Sequence, residues 1–467
     1  MSKKVLSVMI VAAAFGLATA GWTHTKTKSA ERETRIEQLK KDVYQVASKP
    51  RFTEYWGAIE YVRKQAEALG LEVKVEPVNG LLQWERGDKD QCELILPDGA
   101  RSPLRMVALT PSVGGEVQGE IVLVRDFNKG WEPASRFDEG GKTLIPYFAD
   151  RLKRDHTING YVEVVDQRNH GASRAAMFGA KAVLVRSVQT GDGPPHTGAV
   201  MYVKGLEIPA AALSVEAADR LEQELQKHGK VSVRLKINPK PKPTKREQAN
   251  VVIRIPGTSL AKEIVVLSAH FDSHDITPGA ADDAAGVAAV LSVMRKFAKN
   301  RPARTILFVL FADEELDGSG SKAFLKTHEQ DLSNTVTAME LDDGDGAPYA
   351  LQVTSSVPEA EVAKLRLRKI AESVGEEAKG LPTLTSKGTN GADLEKLWEC
   401  HGIPEVAILQ DLTTYFDRHH AENDTPDNIN WDGLERTTRL LERIMQVLTS
   451  GAVTPLPGLK KLPCLAG

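Results

Sequence analysis

Histidine and carboxylate side chains follow three apolar, β-branched runs in the second half of the chain. The runs span residues 264–267, 305–311 and 335–339, and the intervals between them are long enough for helical crossovers. Such spacing is typical of βαβ units, which form parallel sheets. The residues that follow the three runs are His270, then Glu314 and Glu315, then Asp342. Because ligands bind outside the carboxyl ends of parallel strands, we expect these side chains to converge on one pocket.

The first run ends in a His-x-Asp pair, His270 and Asp272. An imidazole at a strand end can bind a metal ion. A carboxylate two residues later points to the same side of the strand and can hold the other ring nitrogen. An isolated pair of this kind is more often a surface ion pair. Alone it is weak evidence for a metal site, and the other motifs are needed to support one.

The segment from Gly279 to Gly286 has the sequence GAADDAAG and leads into an apolar helix predicted over residues 287–297. One of its aspartates could simply cap that helix, which is a common use of aspartate. Alternatively, one carboxylate could bridge two metal ions beside the helix N-terminus. The small residues on both sides would let the backbone approach such ions closely.

Glu314 and Glu315 follow a strongly apolar strand, which makes full exposure of both side chains unexpected. Adjacent glutamates can divide the chemical work. One can bind a metal ion while the other acts as general base toward a metal-bound water. His420 follows an apolar strand predicted at residues 406–409 and could complete the ligand set.

Five motifs in this order resemble the co-catalytic dizinc aminopeptidase family, and within it the carboxypeptidase Q branch, also called plasma glutamate carboxypeptidase. They are His270-Phe271-Asp272, Gly279 to Asp283, Glu314-Glu315 with Gly320-Ser321, Glu340-Leu341-Asp342, and His420 with Asp424-Thr425. The Trp84-Glu85-Arg86-Gly87 segment and the Tyr-Phe-x-x-His-His run at residues 415–420 resemble the same branch. One departure is Asp317, where the family commonly has glycine; Gly318 follows it here.

The resemblance implies two zinc ions per chain and a role for each matched residue. His270 and Asp342 would hold one ion, Glu315 and His420 the other, and Asp282 would bridge the two. Asp272 would orient His270, Glu314 would be the general base, and the peptide between Asp282 and Asp283 would be cis. His419 is either a hydrogen-bond donor to the oxyanion or a structural histidine. His274 is interpreted as a loop residue without a role in the site.

At 467 residues, the chain exceeds what one hydrophobic core usually organises. Short strands and Gly-rich turns occupy residues 102–239, a Pro- and Lys-rich linker follows, and α/β patterning resumes at Asn250. We therefore expect a catalytic domain in two parts, residues 21–101 and 240–450, with residues 102–239 inserted and a tail at 451–467. Within these parts, the patterns predict helix between residues 31 and 71 and a strand at 161–165.

The resemblance also implies a fold. It identifies the larger part as an α/β, phosphorylase/hydrolase-like zinc exopeptidase domain with a mostly parallel central sheet. It identifies the insertion as an α+β protease-associated domain.

The first residues predict a cleavable signal peptide. Lys3-Lys4, an apolar core at residues 5–17 and Ala18-Thr19-Ala20 predict cleavage after Ala20. An uncleaved anchor is the alternative, but the apolar core is shorter than the ~20 residues that a spanning helix needs. We therefore expect a secreted or periplasmic protein that does not associate with the membrane after cleavage.

Charge and cysteine content limit the partners and cross-links. The net charge of −3 gives no reason to expect nucleic acid as a partner. A homodimer is possible, and either domain could form its interface. Cys92, Cys400 and Cys464 allow at most one disulfide bond, and we expect Cys400 to be a buried structural cysteine.

The expected function is that of a metallo-exopeptidase, an aminopeptidase or dipeptidase that hydrolyses N-terminal residues or dipeptides. The reaction would use a dizinc-activated water with Glu314 as general base. Two alternatives stay open. One is a glutamate-type carboxypeptidase, and the other is a catalytically inactive, peptidase-like binding protein.

Overall fold

The computed structural model describes residues 29–129, 131–133, 136–354, 360–386 and 391–451. The signal peptide predicted at residues 1–20 lies outside the described residues, as does the predicted tail beyond residue 451. Within the described ranges, no helix combines the length and the hydropathy needed to cross a membrane.

The helices and strands of the described residues are numbered in chain order. The helices are α1 (residues 29–46), α2 (Trp56–Glu67), α3 (Asn159–Val164), α4 (Asp166–Asn169), α5 (Gly171–Met177), α6 (Val215–His228), α7 (Ala285–Lys299), α8 (Ser319–Thr327), α9 (Glu329–Ser333), α10 (Ala360–Val374), α11 (Glu395–His401) and α12 (Trp431–Thr449). The strands are β1 (Val73–Pro77), β2 (Gln91–Ile95), β3 (Arg101–Pro103), β4 (Met106–Ala108), β5 (Gly115–Val124), β6 (Leu144–Phe148), β7 (Val183–Arg186), β8 (Ala210–Leu213), β9 (Ser232–Ile237), β10 (Ala249–Ile255), β11 (Leu260–His270), β12 (Arg304–Phe311), β13 (Thr335–Glu340), β14 (Pro348–Thr354), β15 (Thr383–Ser386) and β16 (Val406–Gln410).

A five-stranded sheet with the order β1-β10-β12-β11-β13 carries the three runs singled out in the sequence. β11 pairs in parallel with β12 and with β13, as the crossover spacing predicts. β10 pairs antiparallel with both β1 and β12, so the prediction of a mostly parallel sheet is wrong for this edge, and the sheet is mixed. A three-stranded sheet, β15-β14-β16, adjoins it through a bridge between Ala338 and Glu405.

The central strands are buried on both faces, which explains their continuous apolar sequences. Along β11, Val265 and Leu267 contribute to the core beneath α7 and α12, whereas Ile264 and Val266 contribute to the core on the opposite face. This period of two fixes the register of the strand, because a slip of one residue would exchange the two faces. The strand end at His270 is fixed with it.

An eight-stranded sheet is formed by strands from residues 91–237. Its order is β3-β2-β9-β5-β6-β7-β8-β4, and the segment from β5 to β8 is parallel. Buried residues on its two faces form cores separate from those of the five-stranded sheet. The chain enters this unit after β1 and leaves it before β10, so the unit is inserted between neighbouring strands of the five-stranded sheet.

Two local predictions differ from the structure. Residues 161–165, predicted as a strand from their β-branched content, lie in or beside helix α3. Propensity is outweighed there by packing, because Tyr161 stacks on Phe416 with ring centroids 4.9 Å apart. The helical segment predicted between residues 31 and 71 is two helices with a break around Pro50, since proline disfavours helix for the residue before it.

The cysteines also differ from expectation. Cys92 is a buried free thiol. Cys400 is disulfide-bonded and only partly buried, so the expectation of a buried structural cysteine at that position is wrong.

Candidate metal centre

The carboxyl ends of the central strands bring the predicted donors together. β11 ends at His270, Glu314 and Glu315 follow β12, and Asp342 follows β13. Because β11 is parallel to both neighbours, these residues lie at the same edge of the sheet. The structure therefore brings the four residues together, and Glu314, Glu315 and Asp342 line one cavity.

The first group of donors surrounds the imidazole of His270, which is fully buried. Its Nε2 atom lies 2.9 Å from Oδ1 of Asp282 and 3.2 Å from Oδ1 of Asp342. One histidine nitrogen and two carboxylate oxygens are donors of the kind that bind zinc in hydrolytic sites.

The second group surrounds His420. Its Nε2 atom lies 3.0 Å from Oε2 of Glu315 and 3.3 Å from Oδ2 of Asp282. Asp282 therefore turns one oxygen toward each group. This is the orientation that a carboxylate shared by two cations requires.

The loop of Asp282 is held in place by Asp424. The two carboxylate oxygens of Asp424 accept hydrogen bonds from the backbone N–H groups of Ala281, at 2.8 Å, and of Asp282, at 3.1 Å. The peptide bond between Asp282 and Asp283 is cis, as the family resemblance predicts. The side chain of Asp283 points inward, where it accepts hydrogen bonds from the N–H groups of His270 and Gly286.

Arg51, in the break between α1 and α2, fixes the loop that follows His270. Its guanidinium is buried and donates to the carbonyl oxygens of Phe271 at 2.7 Å, Asp272 at 3.2 Å and Gly279 at 3.1 Å. This one side chain therefore satisfies backbone carbonyl oxygens at both ends of the loop. Sequence reasoning gave Arg51 no role, because its contacts depend on the tertiary fold.

The loop of His419 and His420 is held by the inserted unit. The N–H of Thr197 donates to the carbonyl oxygen of His420 at 3.0 Å, and the N–H of Thr190 donates to that of Phe416 at 3.1 Å. Arg154 donates two hydrogen bonds, of 2.8 and 2.6 Å, to the carboxylate of Asp417. His420 itself has φ of 62°, a conformation uncommon for a non-glycine residue, so these contacts constrain a backbone that would otherwise relax.

The structure places Glu314 and Asp272 beside the donors. Glu314 lines the cavity described below and belongs to none of the groups of potential metal ligands found among the described residues. Its N–H donates to Oδ1 of Asp272 at 3.1 Å. The same Oδ1 atom lies 3.7 Å from Nδ1 of His270, which is longer than a hydrogen bond. Asp272 thus holds the backbone at Glu314 and lies beside His270 without a hydrogen bond to it.

His419 packs against His420, with ring centroids 3.6 Å apart. Its Nε2 atom lies 3.6 Å from Oδ2 of Asp282. Burial, together with the positive charge of His420, holds the pKa of His419 well below its usual value. A neutral imidazole at this place can donate one hydrogen bond toward the cavity.

The concentration of buried carboxylates perturbs the pKa values of the site. Burial acts to lower the pKa of His270, but the negative charges of Asp342, Asp272 and Asp282 raise it well above its usual value. Burial and the negative charge of Asp342 raise the pKa of Glu314 well above its usual value. Carboxylates packed this closely need positive charge nearby.

The residues present fit a pair of metal ions. Two buried donor atoms that face these groups have no hydrogen-bond partner within the described residues: Oδ2 of Asp282 and Nε2 of His274. Unpaired buried polar atoms are costly unless another partner satisfies them. Their nitrogen and carboxylate chemistry, and their arrangement around Asp282, suit zinc or a similar divalent ion.

Sequence reasoning missed two residues at this site. His274, interpreted as a loop residue, lies with Glu315 and His420 in one of the potential ligand groups. Arg168, from the inserted unit, lies with its Nη1 atom 3.4 Å from Nδ1 of His420. A histidine four residues after His270 was a visible signal for the first. No sequence signal could have placed Arg168, because it comes from another unit.

A cavity of about 660 Å³ opens in front of the donors. The inserted unit contributes Tyr161, Arg168 and Met201 to its wall, whereas the acidic lining comes from the five-stranded sheet and its loops. Asp317, the departure from the family pattern, is exposed, and Gly318 after it takes the turn with φ of 65°. The departure leaves the donors in place.

Comparisons with known proteins identify the family of the chain. The model of peptidase family M28 matches residues 250–445. Carboxypeptidase Q from Bos taurus is 30% identical over 377 residues, covering 79% of this chain and 75% of that protein. Carboxypeptidase Q from Homo sapiens is 31% identical over 381 residues, with the same coverage of both chains.

Solved structures show the same fold. The peptidase M28 precursor from Shewanella amazonensis superposes with a TM-score of 0.79 at 28% identity, covering 92% of this chain and 100% of that one. An aminopeptidase from Aneurinibacillus sp. strain AM-1 has a TM-score of 0.60 at 20% identity, covering 91% of this chain and 97% of that one. The chain belongs to peptidase family M28 and is a metallo-exopeptidase, a hydrolase that acts on peptides.

Proposed function

We propose that the protein is a zinc-dependent exopeptidase that removes N-terminal residues or splits dipeptides, using two zinc ions per chain. The observation that carries this proposal is the orientation of Asp282, whose two oxygens face His270 on one side and His420 on the other. His270 and Asp342 would hold one ion, Glu315 and His420 the other, and Asp282 would be shared.

The bound ions would lower the pKa of a water molecule to about 7 and polarise the substrate carbonyl. The residues of the chain do the remaining work. Glu314 takes a proton from the attacking water and delivers it to the leaving amine, a role that its place in the cavity outside the ligand groups allows. Asp272 positions the Glu314 backbone through the hydrogen bond from its N–H. His419 is the proposed donor to the oxygen of the attacked carbonyl.

The charge distribution in the cavity supports a small substrate with both ends free. Five carboxylates line the cavity, which suits the ammonium group of a free N-terminus: Asp282, Glu314, Glu315, Asp342 and Asp343. Arg168 is the only lysine or arginine among the lining residues that the structure describes. Arg168 is 6% exposed, and its guanidinium donates to Tyr161 and Asn169, but no described carboxylate lies within ion-pair distance.

A buried cation without an anionic partner is costly, so an anionic group of the substrate is a natural partner for Arg168. In a dipeptide, the terminal carboxylate lies within about two bond lengths of the leaving nitrogen. A guanidinium that contacts His420 is therefore near enough to bind it. This favours dipeptides over long chains.

The carboxypeptidase alternative keeps one supporting observation. A substrate carboxylate bound by Arg168 would also suit an enzyme that removes a C-terminal residue, and the relatives named above are called carboxypeptidase Q. The two functions differ in what they require of the N-terminus. Only an aminopeptidase or dipeptidase needs its substrate amine to be free.

The test is hydrolysis of matched peptides by the purified protein. We would compare free dipeptides with the same dipeptides acetylated at the N-terminus, amidated at the C-terminus, or both. Cleavage of free and amidated forms but not of acetylated forms supports the proposal. Cleavage of acetylated forms at a similar rate favours the carboxypeptidase, and absence of cleavage with two bound metals contradicts both.

We further propose that the inserted unit is a protease-associated domain and that the protein is exported. The eight-stranded sheet includes β2, so the proposed insertion begins before residue 91 and ends near residue 239. Export rests on the signal-peptide pattern of residues 1–20. N-terminal sequencing of the protein recovered from cells would check it, with residue 21 expected as the first residue.

A further inference from the structure

His274 is a buried histidine that the proposed mechanism does not use. It is fully buried, and neither of its ring nitrogens has a hydrogen-bond partner among the described residues. An imidazole in the interior normally satisfies at least one nitrogen, because desolvation without a partner is unfavourable. His274 therefore lacks the partner that its burial requires.

The ring of His274 lies beside two of the proposed metal ligands, Glu315 and His420. Nε2 of His274 lies 2.9 Å from Oε2 of Glu315, yet the two atoms do not meet hydrogen-bond geometry. The ring also packs edge-on against His420, with centroids 4.2 Å apart. Donor atoms of His274, Glu315 and His420 all lie within 4.8 Å of one another. The three donor atoms thus lie close enough together to share one ion.

These separations match those between ligands of one ion. Two ligands that are each about 2.0 to 2.1 Å from a tetrahedral zinc ion are about 3.3 Å apart. The separations here, 2.9 Å from His274 to Glu315, 3.0 Å from Glu315 to His420 and 3.3 Å from His420 to Asp282, lie close to that value.

The loop of His274 is fixed rather than free to choose another orientation. The N–H of Arg51 donates to Oγ of Ser273 at 2.9 Å, and that hydroxyl donates to the carbonyl oxygen of Thr277 at 3.0 Å. On the other side, Asp275 forms a bidentate ion pair with Arg86, at 2.7 and 2.9 Å. Both neighbours of His274 are therefore anchored, and its ring is directed at Glu315.

The geometry points to His274 as an additional protein ligand of the metal ion held by Glu315 and His420. This inference rests on the proposed two-metal function and makes that centre asymmetric. One ion would have three protein ligands, His270, Asp342 and the shared Asp282. The other would have four, His274, Glu315, His420 and the shared Asp282. Four protein ligands close a zinc site, whereas three leave a position open. The ion beside His274 should be the more tightly held of the two.

The competing explanation is that His274 only positions Glu315. A readout of coordination separates the two, and activity alone does not. We would replace His274 by phenylalanine, which keeps a ring but removes both nitrogens, and by glutamine. His196→Phe is the matched control, because His196 is equally buried, has no ring hydrogen-bond partner, and lies outside every ligand group found among the described residues.

Each full-length mature protein would be stripped with chelator and titrated with zinc in competition with a chromogenic chelator. Zinc-edge X-ray absorption on the loaded proteins would count imidazoles per ion. We expect His274→Phe to weaken the tighter site by more than about 100-fold, above the 10- to 100-fold typical of a lost outer contact. We also expect one fewer imidazole per pair of ions than in the wild type, with His196→Phe unchanged in both respects.

Thermal unfolding temperatures, measured with and without zinc, separate loss of a metal ligand from poor folding of a variant. In chelator, His274→Phe should unfold at the same temperature as the wild type or higher, because it buries no unpaired nitrogen. With zinc it should gain less stability than the wild type does. An unchanged imidazole count overturns the inference, as does unchanged affinity at both sites. A wild type that binds no metal at all would instead contradict the proposed function.

Discussion

The five-stranded and eight-stranded sheets contribute to the site in different ways. The donor groups found among the described residues come entirely from the ends and loops of the five-stranded sheet and the segments that follow it. The eight-stranded sheet contributes no donor to them. It supplies instead the contacts to the loop of His420 and one wall of the cavity.

This difference separates the chemistry from its positioning. Donors at the ends of buried parallel strands are fixed by the strand register. A slip of one residue would move every side chain of the strand to the opposite face of the sheet. His420 is not at a strand end, and its loop depends on Thr190, Thr197 and Arg154 of the inserted unit. We therefore expect changes in the first sheet to abolish turnover, and changes in the inserted unit to alter selectivity and metal retention.

The largest expected effect comes from the five-stranded sheet. Glu314→Gln removes the proposed base while keeping the size of the side chain, so kcat should fall about 100- to 10,000-fold. Zinc content, measured by elemental analysis, should stay the same, because Glu314 lies outside the ligand groups. An active Glu314→Gln enzyme would remove the assignment of the base.

A smaller effect is expected at the cavity wall of the inserted unit. Arg168→Met should lower the preference for a free dipeptide over its C-terminal amide about 10- to 100-fold, the size of a hydrogen bond to a charged group. The ratio of kcat/KM for the two substrates measures it. Arg174→Met is the matched control, since Arg174 lies in the same unit but bonds to the carbonyl oxygen of Trp131 away from the cavity. An unchanged ratio in Arg168→Met would show that Arg168 does not bind the substrate carboxylate.

The contact between the two units should have a more modest effect. Asp417→Ala removes the acceptor for Arg154 and for the Thr190 hydroxyl, which donates to it at 2.7 Å. We expect zinc binding at the His420 side to weaken about threefold to tenfold, as a partly exposed ion pair allows. Glu116→Ala, which breaks an exposed ion pair with Arg234 inside the inserted sheet, should leave zinc binding unchanged. Equal zinc affinity in both variants would show that the contacts of Asp417 with Arg154 and Thr190 do not position His420.

The smallest effect is expected where the chain enters and leaves the inserted unit, at the contacts of Glu85 with Lys240 and Thr244. Hydrogen bonds from Lys240 and from the N–H of Thr244 lower the pKa of Glu85 to about 2. The pKa is lower in the folded state than the value of about 4.3 in an unfolded chain, so this contact stabilises the fold above that pH and is lost as pH falls toward 2. Urea unfolding in chelator should show Glu85→Gln to be less stable by about 0.5 to 1 kcal/mol at pH 7, given that the side chain is 25% exposed. The difference should shrink at pH 3, and a difference that grew on acidification would contradict the assignment.

Much of the centre could be predicted from the sequence because its donors occupy strand ends. His270, Glu315 and Asp342 each follow an apolar run, and parallel pairing brings such ends together. The position of His274 could not be predicted in this way. It depends on a loop held by Arg51, about 220 residues earlier in the chain, and by Arg86.

The errors have a common physical origin. The β-branched residues at 161–165 favour a strand, but the segment is a helix whose Tyr161 packs on Phe416 of the other unit. The antiparallel β10 has no donor at its end, so nothing in the motifs indicated its direction. In both cases tertiary contacts decided what local patterns could not.

The central claim is that this cluster of donors holds two ions that hydrolysis requires. The most direct measurement is activity on an unblocked dipeptide as zinc is added back, in measured equivalents, to the chelator-treated protein. We expect negligible hydrolysis without zinc and a rise that reaches its plateau at two equivalents per chain. Hydrolysis that survives complete chelation would contradict the claim, as would full activity with one equivalent.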